Sequence, residues 1–184
     1  MVRQRNGLKC RSAYPTRRNK DVMNLYDMEI AIANYFNPRI NLCVPNVSWG
    51  FNIHECDLLV LTKNQYLIEV EIKLSKSDLK ADLKKRHKHI NRKIKHLYFA
   101  LPEELEPHIE YVPERAGIFI VRPGKTQDKV HKIRYPKTNL EALPITDRQA
   151  FQFARLGALR IWGMKREINN MIRREKLRRS DPQK

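Results

Sequence analysis

Two apolar segments separated by three polar residues constrain the fold of this chain more than any other feature. The segments are "CDLLVLT" (residues 56–62) and "YLIEVEIKL" (residues 66–74), and the connecting "KNQ" is short enough for a β-hairpin. Asn64 in this loop tolerates the left-handed backbone that such loops need. If Thr62 pairs with Tyr66, the two segments form adjacent antiparallel strands.

Charged residues occupy alternate positions of the second strand. Side chains of a strand alternate between the two faces of the sheet, so Glu69, Glu71 and Lys73 share one face. In the expected register, Asp57 of the first strand lies opposite Glu71 on that same face. The charges therefore form an exposed ion pair, a buried ion network or a catalytic site, and an unpaired carboxylate in so apolar a strand would be costly.

The remaining hydrophobic patterns predict one mixed sheet flanked by helices, which is an α/β fold. The predicted elements are a helix over 21–36, a strand within 39–49, the hairpin, a helix over 75–95, a strand at 96–102, a short helix or turn over 103–115, a strand at 116–123, an edge strand within 129–137 and a long helix from 146 or 147 to about 178. We expect a flexible basic arm at residues 1–20, a core over residues 21–145 and a basic C-terminal helix within residues 146–184. That helix is expected to pack on the core through Trp162 and the aliphatic residues near it.

The net charge of the chain narrows the choice of partner. The 184 residues include 37 Lys and Arg against 20 Asp and Glu, and the resulting charge of +17 favours a polyanion, most commonly nucleic acid. No apolar run approaches the roughly 18 residues of a membrane-spanning helix, and the N-terminus lacks the apolar segment of a secretory signal. Three cysteines without CxxC spacing indicate a reduced protein without a structural zinc site. We expect it in the cytoplasm of a bacterial or phage-infected cell.

Residues 75–95 combine a helical pattern with a dense run of basic side chains. The two aspartates in this stretch are too few to neutralise the run, so we expect salt-sensitive contacts to nucleic-acid phosphates that do not depend on base sequence. Ser75 is expected to cap the helix, to touch phosphate, or to do both. His87 and His89 would point apart on a helix and are expected at the surface. The residues assigned to this surface are Ser75, Lys76, Lys80, Lys84, Lys85, Arg86, Lys88 and Arg92.

The charged face of the hairpin has the residue types that metal-dependent phosphodiester hydrolysis needs. Mg²⁺ prefers carboxylate oxygens, which Asp57 and Glu71 would supply. Lys73 would orient the attacking water or stabilise the developing negative charge. Glu69 would extend the site or hold Lys73, and Glu29 would complete the metal shell if the first helix packs beside the hairpin.

The order of these motifs along the chain resembles the PD-(D/E)xK nuclease superfamily, and in particular the MmcB-type DNA repair proteins. The resemblance rests on "ECDLLVL", "EVEIKLSKSDLKADLKK", "HLYFALP" and "PERAGIFIV", within roughly residues 40–123. It implies a restriction-endonuclease-like fold, Asp57 and Glu71 as ligands of Mg²⁺ or Mn²⁺, and Lys73 as the catalytic lysine. The chain departs from the family pattern in having "CD" in place of "PD", and Asn46 where a glutamate is expected.

The sequence thus predicts a metal-dependent, endonuclease-like hydrolase that acts on DNA in preference to RNA, in repair, recombination or phage DNA metabolism. One alternative is a nucleic-acid-binding protein that keeps this fold with weak or lost catalysis. Another is a ribosome-associated basic protein, which would prefer RNA. No membrane partner is expected, and the long C-terminal helix leaves a homodimer open.

Overall fold

The computed structural model describes residues 23–48, 51–84, 89, 91–124 and 126–180, which form one six-stranded sheet flanked by helices. The strands are β1 (Leu42–Val47), β2 (Cys56–Leu61), β3 (Leu67–Ile72), β4 (Ile94–Pro102), β5 (Gly117–Arg122) and β6 (Lys129–Arg134), and the helices are α1 (Leu25–Tyr35), α2 (Lys76–Asp82), the 3-10 helix Glu103–Tyr111 and α3 (Asp147–Ser180). The predicted fold class, an α/β fold with a mixed sheet and a long C-terminal helix, is confirmed. The predicted N-terminal arm lies outside the described residues.

The strands follow one another across the sheet in chain order. β1 and β2 pair antiparallel, as do β2 and β3, whereas β3, β4 and β5 run parallel and β6 returns antiparallel at the edge. Parallel neighbours require the chain to cross back along the sheet, and α2 and the 3-10 helix lie in these two crossovers. The start of β2 and the ends of β3, β4 and β5 therefore lie at the same end of the sheet, as measured along the strands.

The β2–β3 hairpin has the register that the sequence predicts. The Thr62 amide donates to the Tyr66 carbonyl at 2.9 Å, and Leu58 pairs with Val70, so Asp57 falls across from Glu71. The left-handed residue of the loop is Gln65, with φ of 61°, and not Asn64 as expected. This difference shifts the turn by one residue without changing the pairing of the strands.

The two faces of the sheet have different cores. On the first face, Met28 and Ile32 of α1 pack with Val70 and Phe119 in a single apolar cluster. The second face carries two apolar clusters instead. One lies under α3 and includes Leu59, Leu61, Leu67, Phe153 and Leu156, and the other lies under the 3-10 helix and includes Leu79, Leu97, Phe99, Leu105 and Ile118. The charged residues of β3 lie between these two clusters.

The basic helix is much shorter than predicted. The sequence pattern suggests a helix over residues 75–95, but α2 ends at Asp82 and a turn follows at residues 83–84. The burial of His89 explains the difference, because its ring lies 2.6 Å from Glu69 and 2.8 Å from Asp82, and its φ of 55° does not occur within a continuous α-helix. The predicted helix would have included this residue.

Among the described residues, the contacts of the C-terminal helix with the sheet come from its first four turns, up to Arg160, which donates to the Asn46 carbonyl. Phe153 and Leu156 are buried against the second face, and Gly157 approaches Val44 of β1. Trp162 is 62% exposed, so the expectation that it docks the helix onto the core is wrong. At a rise of about 1.5 Å per residue, this 34-residue helix far exceeds a six-residue strand in length, and its later turns project past the sheet. Among the described residues, no helix has both the length and the apolarity to cross a bilayer.

Candidate active site

A charged cluster occupies the second face of the sheet beside β2 and β3. Its side chains come from these two strands, from the loop before β2, from the residue directly after β3, from the end of α2 and from the turn before β4. We use the name charged cluster for His54, Asp57, Glu69, Glu71, Lys73, Asp82 and His89. Because β3 is the third of six strands and is buried along its length, acids placed on it are withdrawn from water.

Lys73 lies at the centre of the carboxylates. Its Nζ is 2.7 Å from Glu71 Oε2, 3.2 Å from Asp82 Oδ1 and 3.8 Å from Asp57 Oδ2. Burial acts to lower the pKa of Lys73, but the three carboxylates outweigh it, with Glu71 the strongest, and the pKa is raised well above its usual value. Lys73 is therefore an ammonium at neutral pH, suited to stabilising negative charge and unsuited to accepting a proton.

Asp57 is the acid of this group that reaches the surface. About a third of its side chain, 34%, is exposed, whereas only 2% of the Glu71 side chain is. Its Oδ2 accepts a hydrogen bond from the Ile72 amide at 2.7 Å, and this bond fixes the carboxylate against the end of β3. Asp57, Glu71 and Lys73 thus converge on the side of the sheet that the alternation of the hairpin predicts.

Glu29 on α1 lies close enough to Asp57 for the two charges to interact. Burial raises the pKa of Glu29, a hydrogen bond from Asn46 partly offsets that rise, and the charge of Asp57 raises the pKa further. The side-chain amide nitrogen of Asn46, Nδ2, donates to Glu29 Oε1 at 3.2 Å. Asn46, at the position where the family resemblance predicts a glutamate, therefore holds Glu29 of α1 by a hydrogen bond.

Two histidines complete the cluster on its other side. His89 Nδ1 lies 2.6 Å from Glu69 Oε1 and His89 Nε2 lies 2.8 Å from Asp82 Oδ2, while His54 Nε2 lies 2.7 Å from the same Glu69 oxygen. Burial acts to lower the pKa of His89, but its hydrogen bonds to Asp82 and Glu69 raise the pKa to about 9. Burial likewise acts against the charged form of Glu69, yet the hydrogen bonds from both histidines lower its pKa.

The position of His89 corrects the expectation of a surface histidine. Only 2% of the residue is exposed, and its φ of 55° places it in a left-handed turn outside any helix. The prediction failed because it assumed that the helix continued through this residue. His87 lies outside the described residues. Asp82 belonged to a motif of the family resemblance, but no sequence signal pairs it with His89 or brings His54 to Glu69.

The lysines assigned to nucleic-acid contact begin shortly after β3, at the same end of the sheet as Asp57. Ser75 caps α2 by accepting from the Asp78 amide at 3.2 Å, as expected. Lys76 and Lys80 are exposed beside the Tyr111 ring. Lys84 is also exposed, Arg92 is exposed with its Nε 3.6 Å from Glu141, and Lys85, Arg86 and Lys88 lie outside the described residues.

Among the described residues, carboxylates outnumber cationic side chains in and beside the charged cluster. The acids are Glu29, Asp57, Glu69, Glu71 and Asp82, and the cationic side chains are Lys73, protonated His89 and Arg115, whose charge acts on Glu69. An excess of partly buried negative charge attracts a further cation, and carboxylate oxygens are the donors that Mg²⁺ and Mn²⁺ prefer. One oxygen of Asp57 and one of Glu71 lie within 3.8 Å of the same atom, Lys73 Nζ. The two carboxylates therefore converge closely enough to fit a shared ion.

The fold and the cluster define an α/β protein with a lysine and carboxylate centre on one face of a mixed sheet. No family model matches the chain, and no curated protein does either. Among solved structures, the SPO1766 protein of unknown function from Silicibacter pomeroyi is similar, with a TM-score of 0.56. It shares 13% sequence identity, and the match covers 82% of this chain and 94% of that one. At this identity the likeness concerns the fold alone.

Proposed function

We propose that this chain is a metal-dependent phosphodiester hydrolase that acts on DNA in preference to RNA. The observation that carries the proposal is the convergence of Asp57, Glu71 and Lys73, with Nζ 2.7 Å from Glu71 and 3.8 Å from the partly exposed Asp57. Two acids and an ammonium at the rim of a buried cluster form an arrangement that can bind a divalent ion and stabilise a developing phosphorane.

Asp57 and Glu71 would hold Mg²⁺ or Mn²⁺. When bound, the ion would polarise the scissile phosphate and lower the pKa of a water molecule. The Ile72 amide would keep Asp57 turned toward Glu71 through the hydrogen bond that it already donates. Glu29, held by Asn46 near Asp57, would add negative charge at the open side of the site.

Lys73 would act as a fixed positive charge. Its raised pKa keeps the ammonium protonated through the neutral range, so it would stabilise the charge that develops on the phosphate oxygens. Asp82 and Glu71 hold the ammonium from two sides at 3.2 and 2.7 Å. Because the group is already in place, it needs no reorganisation when the substrate binds.

The substrate would be held by phosphate contacts to the exposed lysines of α2. Lys76 and Lys80 follow β3 at the end of the sheet where Asp57 lies. A DNA strand bound along α2 would therefore reach the candidate site. The net charge of +17 supports a polyanionic substrate. The family resemblance favours repair, recombination or phage DNA metabolism as the setting.

A DNA-binding protein without catalysis is the second candidate, and a specific observation favours it. Lys73 contacts three carboxylates, and Asp57 accepts from a backbone amide, so these two residues already have partners within the protein. A buried ion network of this kind can persist for structural reasons alone.

Cleavage assays separate the two candidates. The full chain would be incubated with supercoiled, linear and branched DNA in Mg²⁺ or Mn²⁺, beside Asp57→Asn and Lys73→Ala. We expect each substitution to lower the cleavage rate by about 100-fold or more. Asp147→Asn is the matched control, because this exposed aspartate pairs with Gln65 at the opposite end of the hairpin.

Three outcomes decide the matter. Loss of cleavage in both site variants, with both shown to be folded by circular dichroism and with the control active, supports the hydrolase. Salt-sensitive binding without metal-dependent cleavage favours the binding protein. Equal cleavage by wild type and both site variants would show that the activity comes from a contaminant or from another site.

A further inference from the structure

We propose that His54, Glu69 and His89 form a second cation site, which binds a divalent transition-metal ion of the zinc type. This site is separate from the one assigned to Asp57 and Glu71, and its existence does not depend on phosphodiester hydrolysis. The absence of CxxC spacing argues against a cysteine zinc site only, since imidazole and carboxylate groups are also zinc ligands.

The three side chains already share one position in space. Glu69 Oε1 lies 2.7 Å from His54 Nε2 and 2.6 Å from His89 Nδ1. One ligand atom from each residue lies within 4.8 Å of the other two. Two imidazole nitrogens with one carboxylate oxygen are a donor set that binds zinc and other divalent transition metals. An ion that replaces the shared protons therefore needs only small side-chain shifts.

The second carboxylate oxygen of Glu69 is an independent sign of a missing ligand. Oε2 is buried and has no hydrogen-bond partner among the residues described, and the whole side chain is 0% exposed. Leaving a buried carboxylate oxygen unsatisfied costs free energy, and such atoms are uncommon in folded proteins. A metal ion that Glu69 binds through both carboxylate oxygens would remove this cost.

Asp82 supplies the outer contact that metal-binding histidines usually have. His89 presents Nδ1 to Glu69 and Nε2 to Asp82 Oδ2 at 2.8 Å. A carboxylate on the far nitrogen fixes the ring orientation and makes the near nitrogen a better ligand. His89 is therefore oriented for coordination through Nδ1.

A rival group, Glu71 with Asp82 and His89, also brings its ligand atoms within 4.8 Å of one another. The ammonium of Lys73 lies 2.7 Å from Glu71 and 3.2 Å from Asp82, so both carboxylates of that group already contact a cationic side chain. The positive charge of Arg115 also interacts with Glu69. A guanidinium group does not bind metal ions, so Arg115 is not a ligand of the proposed site. The position between His54 and His89 is the better one for an ion.

Binding there would link three separate segments of the chain. His54 lies before β2, Glu69 in β3 and His89 in the turn before β4. His54 is the member nearest to solvent, with 9% of its side chain exposed, and it marks the side from which an ion would enter. Because an ion that binds only the folded chain stabilises it, metal binding should raise the melting temperature.

The test uses the full-length chain after removal of metal with a chelator, titrated with Co²⁺ and Zn²⁺. In Asp57→Asn, which removes a ligand of the other proposed site, we expect one tightly bound ion per chain, a Co²⁺ absorption spectrum typical of nitrogen and oxygen ligands, and a higher melting temperature. His54→Ala and Glu69→Gln should each weaken binding by about tenfold or more. His131→Ala, which removes an exposed histidine of β6, should bind like the wild type.

If His54→Ala does not fold, His54→Gln keeps a donor toward Glu69 while removing the imidazole. Equal affinity in wild type and the folded His54 variant would overturn the proposal. So would a sulfur-to-cobalt charge-transfer band, which would indicate cysteine ligation, or the absence of any bound ion. Asp57→Asn should retain Co²⁺ binding even where it abolishes cleavage, so a failure of this site is distinguishable from a failure of the proposed hydrolase.

Discussion

The ammonium of Lys73, the residue directly after β3, lies 2.7 Å from the carboxylate of Glu71 on that strand, with both side chains almost completely buried. Asp82 approaches the same ammonium to 3.2 Å from another element. Removing the positive charge would leave two acids buried without their cation, which is costly in a region of low dielectric. The pair thus links the proposed chemistry to the stability of the fold.

We predict that Lys73→Met lowers the free energy of unfolding by about 3–5 kcal/mol, because it breaks a buried ion pair and leaves the acids behind. Urea denaturation at neutral pH would measure the change. Lys137→Met is the control, since Lys137 is 69% exposed and its pair with Glu114 spans 3.5 Å at the surface. The double variant Lys73→Met with Glu71→Gln should recover part of the loss, and no recovery would argue against coupling between the two residues.

The protonation of His89 makes stability depend on pH. Among the residues that the structure describes, the titratable side chains that face the ring include Glu69, Asp82, Glu71 and His54. Burial alone would lower the pKa of His89, but the carboxylates raise it from 6.5 to about 9. The folded state then binds more protons than the unfolded state between these values, so this contribution is fully present below pH 6.5 and is lost as the pH rises through about 9.

In metal-free protein, we therefore expect the free energy of unfolding to fall by up to about 1.4 kcal/mol per pH unit across that interval. Denaturation in urea at several pH values, with a chelator present, would measure the slope. His89→Gln should remove most of it, whereas His131→Gln, at an exposed position, should not. A slope that persists in His89→Gln would assign the pH dependence to other groups.

The hairpin shows how much of the site could be predicted from sequence. Loop length and the period of two along a strand are local properties, and together they place Asp57, Glu71 and Lys73 on one face. His89 could not be found this way, because its burial depends on a left-handed turn and on contact with Glu69, 20 residues away. Contacts between residues so far apart in the chain are a long-range property that neither loop length nor strand alternation encodes.

The same limit applies to the C-terminal helix. Its start and approximate end follow from helical periodicity, and both agree with the structure. Periodicity does not reveal where the sheet beneath the helix ends. Trp162 therefore looked like a core residue, although the turns that reach the sheet are those of Phe153 and Leu156.

Nucleic-acid binding predicts a particular change in salt dependence. Each phosphate contact contributes about 0.9 to the slope of log affinity against log salt for duplex DNA. Lys76→Ala with Lys80→Ala should therefore reduce the slope by about 2, as measured by fluorescence anisotropy with a short labelled duplex. Lys63→Ala with Lys137→Ala is the charge-matched control, since these exposed lysines lie at the opposite end of the sheet, after β2 and after β6. Equal slopes in the two double variants would mean that α2 does not form the DNA-binding surface.

Docking of α3 onto the sheet can be tested with two aromatic residues of the same helix. Phe153 is completely buried, with its ring centroid 5.7 Å from that of Phe51, whereas Trp162 is largely exposed. Phe153→Ala should lower the free energy of unfolding by about 3–5 kcal/mol, because it removes a large buried side chain and leaves a cavity. Trp162→Ala should change it by less than about 0.5 kcal/mol, as expected for a surface position. Thermal and urea denaturation of both variants would give the comparison, and a large loss of stability in Trp162→Ala would show that the distal part of the helix packs on the protein in solution.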